Sequence, residues 1–286
     1  MSYRSSPRPS YDGPTAIPYA ATTRHLWGDE TAGEVADWIY LSNDKIHQLV
    51  FGLPPGGVFR HSDAFRTIFA ADEVLYVLSG TMVIGNPETG EVHRVATGEA
   101  AFFRRDTWHH AWADGIEELR VLEYFAPPPS QGTSGAYAQT QPNLTSPRFS
   151  QDDLVGRWPM ARAEAHARQT IQVIREHDRL WRQEGDAGQI LVGILASTEQ
   201  LTVGQIRLHP GQRTDLQVHG GDEGLYVLSG TVHVRIADAE APGWFELDRR
   251  DGCFIPAGRR HRYYNMGDRP VDLLFGVAPH YLVPPK

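Results

Sequence analysis

The chain has 286 residues, 41% of them hydrophobic and 22% charged, which is enough for one large or two ordinary domains with their own cores. Its formal charge of −8, from 27 basic and 35 acidic residues, argues against a nucleic-acid partner, whose phosphates must be neutralised, and against a basic membrane-surface protein. The single cysteine, Cys253, excludes an internal disulfide and any cysteine-built zinc site.

In chain order, residues 1–25 read as a flexible N-terminal arm. Its first twenty residues hold no apolar core of a secretory signal, and no apolar run in the chain is long enough to span a bilayer. The expectation is a soluble, cytoplasmic protein with no membrane partner. Short segments at 46–53, 74–84, 100–103 and 119–125 are rich in Val, Leu, Ile and aromatics and are bounded by turn residues, as strands are. A Pro/Gly/Ser-rich connector at 127–135 follows. The sequence then predicts one helix over 161–183, with Glu164 and Arg168 at i,i+4 and Gly185 beyond its end. Ile171, Val173, Ile174, Leu180 and Trp181 would form its apolar face. Further strands are predicted at 189–195, 203–208, 225–236, 253–255 and 271–277.

The chain repeats itself. EVLYVLSGT at 73–81 recurs as EGLYVLSGT at 223–231, an offset of 150 with one difference. Upstream, Leu53-Pro-Pro-Gly56 answers Leu208-His-Pro-Gly211, and downstream the block from Phe102 answers that from Phe254. Three matched blocks in one order mark a tandem duplication. The domain reading is an arm at 1–25, a first unit at 26–127, a linker and helix at 128–186 and a second unit at 187–286.

The second unit resembles the cupin superfamily. Its first motif is Gly211, Gln217-Val-His219, Glu223 and Gly230; its second is Pro256-Ala-Gly258, His261 and Asn265. Gln217 stands where the family has His, and Arg250 where it has Gly. The resemblance implies a mainly β fold: two tandem double-stranded β-helix (jelly-roll) barrels, a bicupin, with a linker helix. It also implies a metal held by Gln217, His219, Glu223 and His261. Residues two apart on a strand share a face, so Gln217 and His219 can both point inward. Two imidazoles, a carboxylate and an amide oxygen suit one divalent Zn, Mn or Fe ion. In the first unit Glu73 and His109 match the Glu and the later His, but Thr67 and Phe69 stand at the first pair. That barrel is expected to be degenerate, with His61, Glu73 and His109 as a weaker second ligand set and metal-free binding of an organic ligand as a third possibility.

Around the site, Arg259 and Tyr263 would share a face with His261 on a strand. Arg259 is a candidate for binding a substrate carboxylate, and Glu223 and Tyr263 for moving protons. Cys253 precedes an apolar strand and reads as a buried, inert thiol. No nucleotide fingerprint occurs, and neither nucleotide nor haem is expected. The functional expectation is a metal-dependent isomerase, lyase or hydrolase acting on a small oxygenated, anionic or polyoxygenated metabolite, such as a keto, hydroxy or sugar acid. The alternatives are a non-haem Fe(II) dioxygenase and a non-enzymatic small-ligand-binding protein; a homo-oligomer, as a homodimer, is the expected assembly.

Overall fold

The repeated peptide folds into two equivalent inner strands, and the rest of each unit is built around its copy. The structure is a computed structural model and describes residues 6–127, 141–185, 187–238 and 243–283. The first unit contains β1 (Thr15–Ile17), β2 (Thr23–Asp29), β3 (Gly33–Ser42), β4 (His47–Leu53), β5 (Val58–Phe59), β6 (Asp72–Ser79), β7 (Thr81–Asn86), β8 (Glu91–Ala96), β9 (Ala100–Phe103), β10 (His110–Ala113) and β11 (Leu119–Ala126). A short helix α1 (Arg162–Ala167) follows, and then β12 (Ile171–Ile174), β13 (Leu180–Glu184), β14 (Ile190–Ser197) and β15 (Thr202–Leu208). The chain continues through β16 (Asp222–Ser229), β17 (Val232–Ile236), β18 (Trp244–Leu247), β19 (Gly252–Ile255), β20 (His261–Tyr264) and β21 (Val271–Ala278).

Each barrel has a seven-stranded sheet facing a smaller one. The first pairs β12-β9-β6-β11-β4-β3-β2 with β5-β10-β7-β8; the second pairs β1-β19-β16-β21-β15-β14-β13 with β18-β17-β20. All the pairings are antiparallel. The expected pair of jelly-roll barrels is therefore what the chain forms.

The inner strands of the two large sheets are buried on both faces, which explains their unbroken apolar runs. In β11, Leu119 and Val121 turn into the first barrel, while Leu122, Tyr124 and Ala126 join a core that both barrels share. That interface is close: the Tyr124 hydroxyl donates to Gly224 O at 3.0 Å. A Cβ on Gly276 would lie 2.4 Å from the Tyr124 ring, so only glycine lets the sheets approach this far.

Three sequence expectations change. The helix predicted over 161–183 is confined to α1, where Arg168 lies 3.6 Å from Glu164. Beyond it the β-branched Ile171, Val173 and Ile174 take extended backbone, and Ile171 to Ile174 pair with Phe103 to Ala100 of β9. Free ladder partners on β9 outweigh a helical preference that these residues hold only weakly. Leu180 to Glu184 pair with Ile194 to Ile190 of the second barrel, and on this edge strand Leu180 and Trp181 stay exposed, at 67% and 44%. The arm is also not loose over its described length, because Thr15 to Ile17 pair with Phe254 to Gly252 of the second barrel and Ile17 is buried. The unit boundaries shift accordingly, with the first barrel taking β12 from the linker and the second taking β1 and β13. Most of the connector at 127–135 lies outside the described residues.

Candidate functional site

Two turns and two strands bring the motif residues together inside the second barrel. His219 lies before β16, Glu223 is its second residue, and His261 opens β20 on the opposite sheet. Gln217 and His261 exchange backbone hydrogen bonds at 2.8 and 3.0 Å, which closes the barrel end and fixes the two motifs in register. Gly258 completes the closure: at φ +79° its N–H donates 2.8 Å to the carbonyl of His219, a left-handed turn that glycine adopts without strain.

His219, Glu223 and His261 are all buried, and one ligand atom from each lies within 4.8 Å of the others. Glu223 Oε2 is 3.0 Å from His261 Nε2 and 3.7 Å from His219 Nε2. Glu223 Oε2 and His261 Nε2 make no aligned hydrogen bond and are left without partners. The opposite edge of each ring is anchored. His219 Nδ1 lies 2.7 Å from Tyr281 O and His261 Nδ1 3.0 Å from Arg259 O. A backbone carbonyl can only accept, so each Nδ1 carries a proton and each Nε2 is the ring nitrogen turned inward, the orientation that metal-ligating histidines adopt.

The charges are arranged to suit. Burial pushes the Glu223 carboxyl up, but His261, His219 and the Tyr263 hydroxyl together hold it below its ordinary value. Burial pushes the His261 imidazole down, and the Glu223 carboxylate more than restores it. Tyr263, fully buried, donates 2.5 Å to Glu223 Oε1, leaving Oε2 as the oxygen free for a ligand. Its phenol is held well above its ordinary value, first by burial and then by the Glu223 charge, so it keeps its proton.

The other expected site residues separate. The Gln217 amide nitrogen donates 2.8 Å to Glu184 Oε2, which leaves the amide oxygen as its acceptor end. Arg259 does not share the inner face with His261. It is exposed, with its guanidinium 3.8 Å from Asp238, because β20 begins only at His261 and strand alternation does not reach back to it. Its contribution is the carbonyl that holds His261. Asn265 is a brace, donating to Leu208 O and Arg269 O at 2.9 and 2.7 Å. Cys253 is buried, and burial raises its thiol. Two residues escaped the sequence reading. Glu184 lies just past the expected helix, in the stretch assigned to the linker, and Tyr281, whose ring also stacks on His219 at 4.7 Å, follows the last strand and matches no motif.

The first barrel repeats this geometry with different chemistry. Asp106 takes the place of Gly258, at φ +62°, and its N–H donates 2.7 Å to Phe69 O. Thr67 then corresponds to Gln217, Phe69 to His219, Glu73 to Glu223 and His109 to His261. Glu73 and His109 remain 3.9 Å apart. The expected second set, His61, Glu73 and His109, does not assemble. The His61 ring turns away to His110, 2.7 Å between Nδ1 and Nε2, and lies 3.4 Å from Leu144 O. The longer loop before Glu73 carries His61 to the side of β10 that alternates outward with His110. Among the described residues the one cluster of three His, Cys, Asp or Glu with ligand spacing is that of the second barrel.

The first lumen holds polar residues of its own. A cavity of about 100 Å³ is lined by Asp37, His47, Thr67, His109 and Glu123 among aromatic side chains. Strand registers place Val192, Thr202 and Phe275 at the positions of Asp37, His47 and Glu123 in the second barrel. Burial pushes the Glu123 carboxyl up to about 7 and, with Glu123 nearby, raises Asp37 well above its ordinary range. Burial also lowers His47 to about 3 and His109 to about 4. No helix among the described residues is long and apolar enough to cross a membrane.

The Cupin domain family matches residues 50–125 and 204–277, just over half of the chain. A 99-residue stretch is 29% identical to the tetracenomycin polyketide synthase protein TcmJ of Streptomyces glaucescens, covering 34% of this chain and 64% of that protein. The match therefore spans less than two thirds of TcmJ. Another, also of 99 residues, is 30% identical to protein SchB of Streptomyces halstedii, over 34% of this chain and 69% of that one. Among solved structures, oxalate decarboxylase from Bacillus subtilis superposes with a TM-score of 0.62 at 15% identity, over 96% of this chain and 78% of that one. AerE from Microcystis aeruginosa gives 0.58 at 8% identity, over 90% and 97%. Likeness at such identity establishes the fold alone.

Proposed function

The chain belongs to the cupin family, and from that premise we propose that it is a metal-dependent enzyme whose working centre is the second barrel, acting on a small oxygenated metabolite. The observation that carries the reading is the pair of imidazoles with Nδ1 tied to backbone carbonyls and Nε2 facing an unpartnered Glu223 Oε2. Glu223 Oε2 and His261 Nε2 are buried without partners, at a cost of about 1–3 kcal/mol each, and a divalent cation would meet both together with His219 Nε2. His219, Glu223 and His261 would hold the ion, with the Gln217 amide oxygen as a fourth ligand. Bound there, a Zn, Mn or Fe ion supplies Lewis acidity to a carbonyl or hydroxyl.

The remaining work falls to the chain. Tyr263 fixes Glu223 through Oε1 and offers the nearest buried proton. Glu184 orients the Gln217 amide, and the Tyr281 ring covers His219 from outside. One carboxylate against a divalent ion leaves the site about +1 in formal charge, which favours anionic or oxygen-rich substrates. The name of TcmJ, a polyketide synthase protein, supports a keto-bearing substrate, because polyketide chains are rich in ketones. We place the reaction in the isomerase, lyase or hydrolase class.

A second reading rests on a specific observation. With the Gln217 nitrogen committed to Glu184, two imidazoles and one carboxylate form the inner set, and that set is the one non-haem Fe(II) oxygenases use. Metal analysis of protein purified without chelators, combined with oxygen uptake on keto-acid and polyketide substrates, separates the two. Zinc or manganese with turnover and no oxygen consumption is expected. Iron with substrate-dependent oxygen uptake would replace the first reading by the second.

A further inference from the structure

The first barrel retains its cavity after losing the ligand set, and the side chains added to it point to a purpose of its own. Its walls include the rings of Trp27, Phe51, Phe59, Phe69 and Phe125. Into this aromatic box the chain places the carboxyls of Asp37 and Glu123, with the buried Glu73 carboxyl behind them. At the matching positions the second barrel has Val192 for Asp37 and Phe275 for Glu123, so a jelly roll of this sequence does not need acids there. Among the described residues lining the cavity the one cationic side chain is Arg8; its guanidinium donates to Asn43 O at 2.5 Å and to Ser42 Oγ at 3.4 Å. The imidazoles of His47 and His109 are buried and neutral. An anion entering this lumen would meet carboxyls and ring faces, so the site selects against the ligands expected at the second barrel.

The unmet hydrogen bonds have the same bias. At the cavity wall Thr67 Oγ1 and His47 Nδ1 are buried without partners, and both atoms can accept. An ammonium group carries three donors and no acceptor, and ring faces attract cations. The volume, about 100 Å³, is below the roughly 150 Å³ of an apolar protein cavity known to hold benzene. The body of the ligand is therefore no larger than one small ring or a short branched chain.

We propose that the first barrel is a metal-free binding site for a small organic amine, taken up as its ammonium ion with its apolar body against the aromatic walls and its N–H groups on the Asp37 and Glu123 carboxyls. The site is separate from the metal centre and does not rest on the function proposed for it. Burial holds Glu123 at about 7, so a bound cation would draw these acids into their ionised form and release protons.

The test uses the full chain and three probes of one shape: cyclopentylamine, cyclopentanol and cyclopentanecarboxylate. Calorimetry in two buffers of different ionisation enthalpy reads both affinity and proton release. The amine is expected to bind about tenfold or more tighter than the alcohol, with proton release, and the carboxylate not at all. Glu123→Gln and Asp37→Asn, checked for an unchanged fold by their melting curves, are expected to weaken the amine by about tenfold each. His261→Ala, in the other barrel, is expected to leave amine binding intact. The proposal is overturned if the alcohol binds as well as the amine, if the carboxylate binds, if the amine does not bind or binds without proton release, or if His261→Ala abolishes the amine while the first-barrel variants keep it.

Discussion

The two barrels place a buried glutamate at the same point of the same strand, and its surroundings give it opposite properties. Glu223 has two imidazoles and a phenol around it, which hold its charge in place against burial. Glu73 has Phe69 where Glu223 has His219, and its nearest charged neighbours are the acids Glu123 and Asp72, so burial and like charge raise it. A duplicated backbone thus carries a carboxyl held below its ordinary value in one copy and one raised above it in the other. Side chains at a few inward positions decide between them while the turns stay the same. Even the left-handed turn before β9 is kept, as Gly98 in one copy, and before β19 as Arg250 in the other, at φ +88° and +76°.

This contrast can be broken or sharpened by substitution. The largest effect is expected from His261→Ala, which should abolish metal retention and turnover, while His109→Ala leaves metal content unchanged; elemental analysis of both proteins decides. Next, Ile17→Ala on the exchanged strand β1 is expected to cost about 2–4 kcal/mol as a buried truncation. It should be felt as lower metal occupancy in the second barrel, since β1 pairs with β19 beside the strand of Glu223. Denaturant melts with metal titration read both. Tyr263→Phe, which removes the donor to Glu223 Oε1, is expected to weaken metal affinity by about 10–100-fold without unfolding the chain. Competition with a chelator measures it.

The smallest effect belongs to the first barrel. The folded value of Glu123, about 7, lies above its ordinary 4.5. Between those values the folded protein holds a proton that the unfolded chain has released, so stability falls as pH rises through this window. Glu123→Gln removes that slope and should stabilise the protein by about 1–3 kcal/mol near pH 8, with little change near pH 4. Chemical denaturation at the two pH values would refute this if wild type and variant kept the same difference.

The cluster of His219, Glu223 and His261 was legible in the sequence because its residues sit at the spacings of the cupin motifs. Strand alternation alone would not have found it, since His219 lies before β16. Arg259 was misplaced because a strand was extended two residues beyond its start. Tyr281 and Glu184 carry no local signal, and their contact with the site depends on how distant segments close the barrel end. The predicted helix failed for a related reason. The pattern of Ile171, Val173 and Ile174 fits a helix face or a strand, and only the open edge of β9 decides between them. The acids of the first lumen were in plain view: Glu123 alternates with Val121 and Phe125, which face inward, and an acid in that register marks a polar lumen.

The exchange of β1 and β12 has a consequence for how the molecule can be divided. Each half lends its first strand to the other, so a cut in the linker gives two fragments whose large sheets end in bare edges at β9 and β19. An unpaired inner edge of this kind is a template for aggregation. Two separate single-repeat chains could satisfy both edges only by meeting, and their pairing would fall away on dilution. Tethered in one chain, the partners sit at a high effective concentration whatever the amount of protein. The duplication therefore makes the pairing independent of concentration, and it frees the two lumens to differ.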